Sequence, residues 1–207
     1  MSTIDPRPYR EWLAHTRTGY RSAFLKEVVR CVPDGTSVLE IGYGPGTDAA
    51  GLAERRRYTG IDVSRVQLEH AERQVPTGTV IYADVLEALF EPGSLHAVVS
   101  SSALDHVPRD ELFVLSQRVF GWLLPRGWSC ASFGTSDNPG TVQRAWLGKA
   151  DMYFSSLPPS RTDALLARAG FEIEIGETVT EIEEGEGQAR SHRVIAQRPG
   201  REGTNPR

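Results

Sequence analysis

Val38-Leu39-Glu40-Ile41-Gly42-Tyr43-Gly44-Pro45-Gly46-Thr47, followed by Tyr58-Thr59-Gly60-Ile61-Asp62, is the stretch whose reading decides the fold. An apolar run of strand length enters a glycine turn, an interval of helix length follows, and a second short run closes on a carboxylate. A strand that turns abruptly into a helix needs positive φ or a missing Cβ, and a ligand lying on the turn needs bare backbone. Asp62 lies 20 residues after Gly42, where a doubly wound sheet brings the end of its next strand beside the first. There it can accept both hydroxyls of a ribose. The stretch outlines a pocket for a nucleoside-containing cofactor.

Glycine spacing separates two such cofactors. The dinucleotide fingerprint G-x-G-x-x-G would need glycine at Thr47, whereas the glycines fall at 42, 44 and 46, two residues after Glu40. That pattern argues against NAD and toward S-adenosylmethionine.

A chain of 207 residues with 39% hydrophobic content can bury one substantial core and is short for two, so a single domain over residues 1–198 is expected. The formal charge of -4 gives no electrostatic support for a long polyanion, and no nucleic acid partner is expected. Cys31 and Cys130 are far apart in sequence with no C-x-x-C pair, which suggests neither a disulfide framework nor a metal site and fits a reducing cytoplasm. Residues 1–10 hold no apolar signal core, and no run of 18 apolar residues occurs, so neither secretion nor membrane spanning is indicated.

Strand and helix signals alternate along the chain. Residues 8–31 read as an N-terminal helical cap divided near Gly19, with Phe24, Leu25 and Val28 on one face. Thr47 is placed to cap a helix through Arg56, and Ser64-Arg65-Val66-Gln67 has capping-box spacing for a helix to about Gln74. Strands are predicted at Tyr58–Asp62, Thr79–Ala83, His96–Ser101 and Trp128–Phe133, with a short helix over Val85–Leu89 and a longer one through Leu112, Leu115, Val119 and Leu123. Residues 134–159 break the pattern with the turn Asp137-Asn138-Pro139-Gly140 and scattered aromatics. A loop of that length suits a substrate lid. Ser160 with Asp163 is placed to cap a helix closed by Gly170, strands 171–180 and 192–197 form a hairpin, and residues 199–207 read as a disordered tail. The seven glutamates between Glu172 and Glu186 suit a solvated sheet edge.

In order and spacing these residues resemble the class I S-adenosylmethionine-dependent methyltransferases over roughly residues 20–198. Glu40-Ile41-Gly42-Tyr43-Gly44-Pro45-Gly46 is similar to the family's first motif, Gly60-Ile61-Asp62-Val63-Ser64 to its second and Tyr82-Ala83-Asp84-Val85 to its third. Leu124-Pro125-Arg126-Gly127-Trp128 matches the usual approach to the fifth strand. The resemblance implies an α/β, Rossmann-like, doubly wound sheet of seven mostly parallel strands, ordered 3-2-1-4-5-7-6 with the last antiparallel. It also implies that Asp62 holds the ribose, Asp84 the adenine amino group and Glu40 the methionine amino group, directly or through water. Gly42, Gly44 and Gly46 would then give close backbone approach, Val85 would flank adenine, and Ser100 or Ser101 would sit near the methionyl part. Tyr43 is bulky for its position, so its side chain must leave the cofactor space or close over it.

Methyl transfer from a sulfonium is an in-line displacement, in which alignment and exclusion of water do most of the work. A base is needed only where the acceptor must lose a proton. His106, in Ser102-Ala103-Leu104-Asp105-His106 beyond the fourth strand, is the candidate; packing against Val107-Pro108 is the structural alternative. Tyr9, Trp12 and Tyr20 are placed either to close over the cofactor or to cover the sheet. The expected protein is a methyltransferase for a small-molecule acceptor, of the kind bacterial secondary metabolism uses, with O- or N-methylation ahead of C-methylation. It is expected to be a monomer or homodimer. The rivals are an RNA or protein methyltransferase, an NAD(P)-dependent oxidoreductase, and a protein that binds S-adenosylmethionine without methylating.

Overall fold

The structure is a computed structural model describing residues 20–146, 150–183 and 187–200. Tyr9, Trp12, most of the predicted tail and the first part of the N-terminal cap lie outside the described residues. In chain order the elements are α1 (Tyr20–Cys31), β1 (Ser37–Ile41), α2 (Ala49–Ala53), β2 (Arg57–Asp62), α3 (Arg65–Gln74), β3 (Thr79–Tyr82), β4 (Leu95–Ser100), a 3-10 turn (Leu104–His106) and α4 (Leu112–Trp122). Then follow β5 (Leu123–Phe133), β6 (Asn138–Trp146), β7 (Ala150–Ser156), α5 (Pro159–Arg168), β8 (Glu172–Glu183) and β9 (Gly187–Gln197).

Seven strands form one sheet in the order β3-β2-β1-β4-β5-β9-β8. With the separate pair β6-β7 set aside, this is the predicted 3-2-1-4-5-7-6 order. The first four pairings are parallel, and β9 runs antiparallel to both β5 and β8. Parallel strands buried on both faces need apolar side chains in both directions. Accordingly Leu39, Ile41 and Val98 face α4 and α5, while Val38, Ala97 and Val99 face α1, α2 and α3. Phe24 and Val28 carry α1 onto that second face, as the helical spacing predicted.

Several expected boundaries are corrected. Thr47 does not cap a helix reaching Arg56: the N-cap is Asp48, without a side-chain capping bond, and α2 ends at Ala53 because Arg57 already pairs with Ser37. Val85–Leu89 forms a turn and no helix, closed by bonds from Leu86, Glu87 and Ala88 back to Asp84. Leu123 leaves α4 to pair with Leu95, so β5 begins before Pro125. The Ser160 cap does not form: Pro158 and Pro159 start α5, and Asp163 turns to His192. Ser64 does cap α3, its hydroxyl accepting from the Gln67 amide, but the reciprocal half of the capping box does not form, because the Ser64 amide donates to Asp62 Oδ1.

The largest correction concerns residues 134–159, expected as a loop. Most of the segment is the antiparallel hairpin β6-β7. Its polar composition hides strands that do not belong to the main core. Asn138, expected in a turn, opens β6 at an irregularity: its side-chain oxygen accepts from the Gly140 amide while its side-chain nitrogen donates to Phe154 O.

Candidate functional site

A cleft of about 360 Å³ opens beyond the C-terminal ends of β1, β2 and β4, in the size range of small-ligand sites. Its floor is the glycine turn. The amides of Gly42 and Tyr43 both donate to Ile61 O, at 2.9 and 3.1 Å, which folds the turn back over β2. Gly42 has φ +76°, and a Cβ there would lie 2.1 Å from the Ala103 Cβ. Glycine is therefore required both by conformation and by the approach of the segment after β4.

Asp62, at the end of β2, braces this floor. Its Oδ2 accepts from the Gly44 amide and its Oδ1 from the Ser64 amide, each at 2.8 Å. A carboxylate offers about four lone-pair positions. The Gly44 and Ser64 amides take two and the Val63 amide also bonds the carboxylate, which leaves the remainder for a ligand hydroxyl. Burial pushes the Asp62 pKa above its ordinary value, and the backbone donors pull it back.

Asp84, just after β3, is exposed at the cleft rim. Its Oδ1 accepts from the Leu86 amide at 2.9 Å, and this Asx turn directs Val85 and Leu86 to the wall. Gly42, Gly44, Asp62, Asp84, Val85, Ser101 and His106 thus share one cleft.

Glu40, Gly46 and Ser100, also expected around the cofactor, are not in the cleft lining but stand behind it. Strand alternation turns Glu40 toward the face of α1 to α3, where it is 3% exposed and accepts from the Tyr58 hydroxyl at 2.7 Å. Burial, and then that carboxylate, push the Tyr58 pKa far up, so the phenol stays a donor. Gly46, at φ +78°, packs against Ala71 of α3, and Ser100 donates to Ile41 O at 3.1 Å. The Tyr43 ring leaves the cofactor space: it lies buried over Gly60, with its centroid 6.0 Å from that of Tyr58.

His106 ends the 3-10 turn and lines the cleft. Its Nδ1 lies 2.8 Å from Tyr153 O in β7, and its ring meets Phe154 edge to face at 4.8 Å. A carbonyl only accepts, so Nδ1 carries hydrogen and the neutral ring keeps its lone pair on Nε2. Asp105, its neighbour, takes no part in this: its Oδ1 accepts from the Gly134 amide at 2.6 Å, and burial raises its pKa. The cleft wall also includes Ser102, Gln67 and Met152, which sequence reasoning missed. Ser102 has φ +59° and its amide donates to Ser132 Oγ at 2.8 Å, a conformation that only the folded neighbours reveal. Met152 had one signal, its place in the aromatic segment 134–159.

These features agree with known proteins. Residues 38–127 match the family model of a methyltransferase domain. A protein of Mycobacterium tuberculosis described as an uncharacterized methyltransferase is 36% identical over 100 residues, 46% of this chain and 50% of its own. The chain thus spans about half the length of the curated relatives it matches. Among solved structures, an S-adenosylmethionine-dependent methyltransferase of Methanosarcina mazei superposes with TM-score 0.73 at 16% identity, covering 84% of this chain and 97% of its own. The 1,6-didemethyltoxoflavin-N1-methyltransferase of Burkholderia thailandensis, solved with its substrate and S-adenosylhomocysteine, gives 0.68 at 20% identity over 92% and 80%. Sheet order and cleft define the class: this is a class I S-adenosylmethionine-dependent methyltransferase fold. Residues 38–127 are the part that matches the methyltransferase-domain model, and S-adenosylmethionine is the cofactor of proteins with this fold.

Proposed function

We propose that this protein methylates a small-molecule acceptor at oxygen or nitrogen, with Asp62 holding the cofactor ribose, Asp84 the adenine amino group and His106 acting as general base. The observation that carries this reading is the bond from His106 Nδ1 to Tyr153 O, which in the neutral ring puts the lone pair on Nε2, in the same cleft as Asp62 and Asp84. The residues present fit the cofactor. Asp62 lines the cleft with its carboxylate held by main-chain amides, and Gly42, whose missing Cβ admits Ala103 against the turn, lines it together with Gly44.

S-adenosylmethionine, when bound, supplies an electrophilic methyl group that an in-line nucleophile displaces from sulfur. The chain's own part is positional. Gly42 and Gly44 give close main-chain approach, Asp62 fixes the ribose, and the Asp84 turn closes the adenine side. His106 Nε2 takes the acceptor's proton as the new bond to carbon forms. Met152 and Pro108 supply apolar wall near His106. The name of the Burkholderia relative, which states a small-molecule acceptor, also supports the reading. Two thiols, Cys31 and Cys130, fit a cytoplasmic setting. Among the described residues no helix is long and apolar enough to cross a membrane.

The test is transfer of labelled methyl from S-adenosylmethionine into a metabolite extract, with products identified by mass. Label in a low-mass product supports the reading; label confined to RNA or protein overturns the small-molecule acceptor.

A further inference from the structure

The segment from Asp84 to Phe90 has no regular secondary structure, yet it supplies Asp84, Val85 and Leu86 to the cleft. Its own closing bonds all return to Asp84, from the amides of Leu86, Glu87 and Ala88. The turn is tied to the sheet at its start by the bond from the Ala83 amide to Asp62 O and by Val85, buried in the core. A further restraint, on its later half, comes from α4. Arg118 donates from Nη1 to Leu86 O and from Nη2 to Ala88 O. Its Cζ lies 5.5 Å from the centroid of the Trp122 ring, and that ring meets Phe90 edge to face at 5.0 Å. One guanidinium therefore clamps two carbonyls of the segment, and the helix that carries it pins the segment's far end.

We propose that Arg118 is a positioning residue for the purine ring of the cofactor, holding Asp84 where its carboxylate can distinguish a 6-amino from a 6-oxo base. This rests on the reading of the cleft as an S-adenosylmethionine site with Asp84 on the adenine side. Charged donors on both carbonyls give the turn a fixed place before ligand arrives, so binding does not have to order it. Arg118 touches no ligand; it acts through Leu86 and Ala88. The planar fork reaches both carbonyls together, which a lysine ammonium does less well.

The experiment is calorimetric titration of wild type, R118M and R118K with S-adenosylhomocysteine and with its inosine analogue, which carries oxygen in place of the amino group. Wild type binds the adenine compound more tightly. In R118M that preference collapses, with affinity for the adenine compound falling about tenfold and the inosine compound little changed. R118K, the milder change, falls between. Equal loss for both compounds, or no loss, overturns the positioning role while the cofactor site stands. A merely structural arginine would lower the melting temperature of R118M and leave the adenine-to-inosine ratio as in wild type. Failure of wild type to bind S-adenosylhomocysteine at all overturns the cofactor reading itself.

Discussion

His106 and Tyr153 are joined by one bond, from the imidazole Nδ1 to the main-chain carbonyl at 2.8 Å, across 47 residues of sequence. The bond makes the hairpin part of the proposed catalytic geometry, because it sets which ring nitrogen is free.

Replacing His106 by Gln keeps a polar side chain and removes the base. Turnover on a phenol, alcohol or ammonium acceptor should fall by roughly 10²- to 10⁴-fold, while S-adenosylhomocysteine affinity stays within a factor of two. Single-turnover rates with calorimetry check both halves. Undiminished turnover rejects His106 as base and leaves the Tyr153 bond a structural contact.

Asp62 links cofactor affinity to pH. Burial raises its folded pKa above the unfolded value. A group shifted in that direction adds stability below its unfolded pKa and loses it as pH rises through the folded pKa. Ionised Asp62 is thus a strain on the ligand-free fold, kept for binding. Asp62→Asn should hold or raise the melting temperature at neutral pH, an advantage that shrinks on acidification. The same change should weaken S-adenosylhomocysteine binding by ~1.5 to 3 kcal/mol. Wild-type affinity should decline on acidification sooner than an ordinary carboxylate would dictate. A clear loss of melting temperature in the Asn variant at neutral pH would mean that the Gly44 and Ser64 amides outweigh desolvation.

Tyr43 and Gly60 occupy one another's space. A Cβ at Gly60 would lie 2.1 Å from the Tyr43 Cγ, inside β2 where the backbone cannot retreat. Gly60→Ala should cost about 1 to 3 kcal/mol by overpacking. Combined with Tyr43→Leu, it should show a favourable coupling of about 0.5 to 3 kcal/mol in urea unfolding. Strict additivity of the two changes rules out the contact.

What was legible in the sequence divides along physical lines. The positive-φ turn at Gly42, the carboxylate closing β2 and the Ser64 cap are local necessities, each written in one residue type at one spacing. The sheet order followed because apolar strand runs alternate with amphipathic helices. Glu40 lies off the cleft lining because period-two alternation sets it with Val38, away from Leu39 and Ile41. The hairpin was hidden because β6 and β7 make a small sheet outside the main one, so burial imposes little alternation on them. Tyr153 was illegible for a different reason: its part is played by a main-chain carbonyl, which every residue possesses. Arg118 was equally hidden, since its partners are the carbonyls of Leu86 and Ala88.

The hairpin also yields a separable test of the acceptor end. Met152 is its side chain in the cleft wall, two residues before Phe154, whose ring meets His106. Neither belongs to the glycine turn nor to the Asp62 and Asp84 corners, so changes at Met152 should act on one ligand only. Met152→Ala shortens an apolar side chain and should raise the acceptor KM about tenfold, in the range of small changes in apolar pocket contact. The S-adenosylmethionine KM should hold, as should the bond from His106 to Tyr153, since that bond uses backbone. A branched replacement, Met152→Ile, refills part of the volume and should shift preference among acceptors of different width. If acceptor and cofactor KM rise together, the hairpin is a general wall of the cleft, and acceptor recognition must be sought along the segment from Ser101 to Pro108.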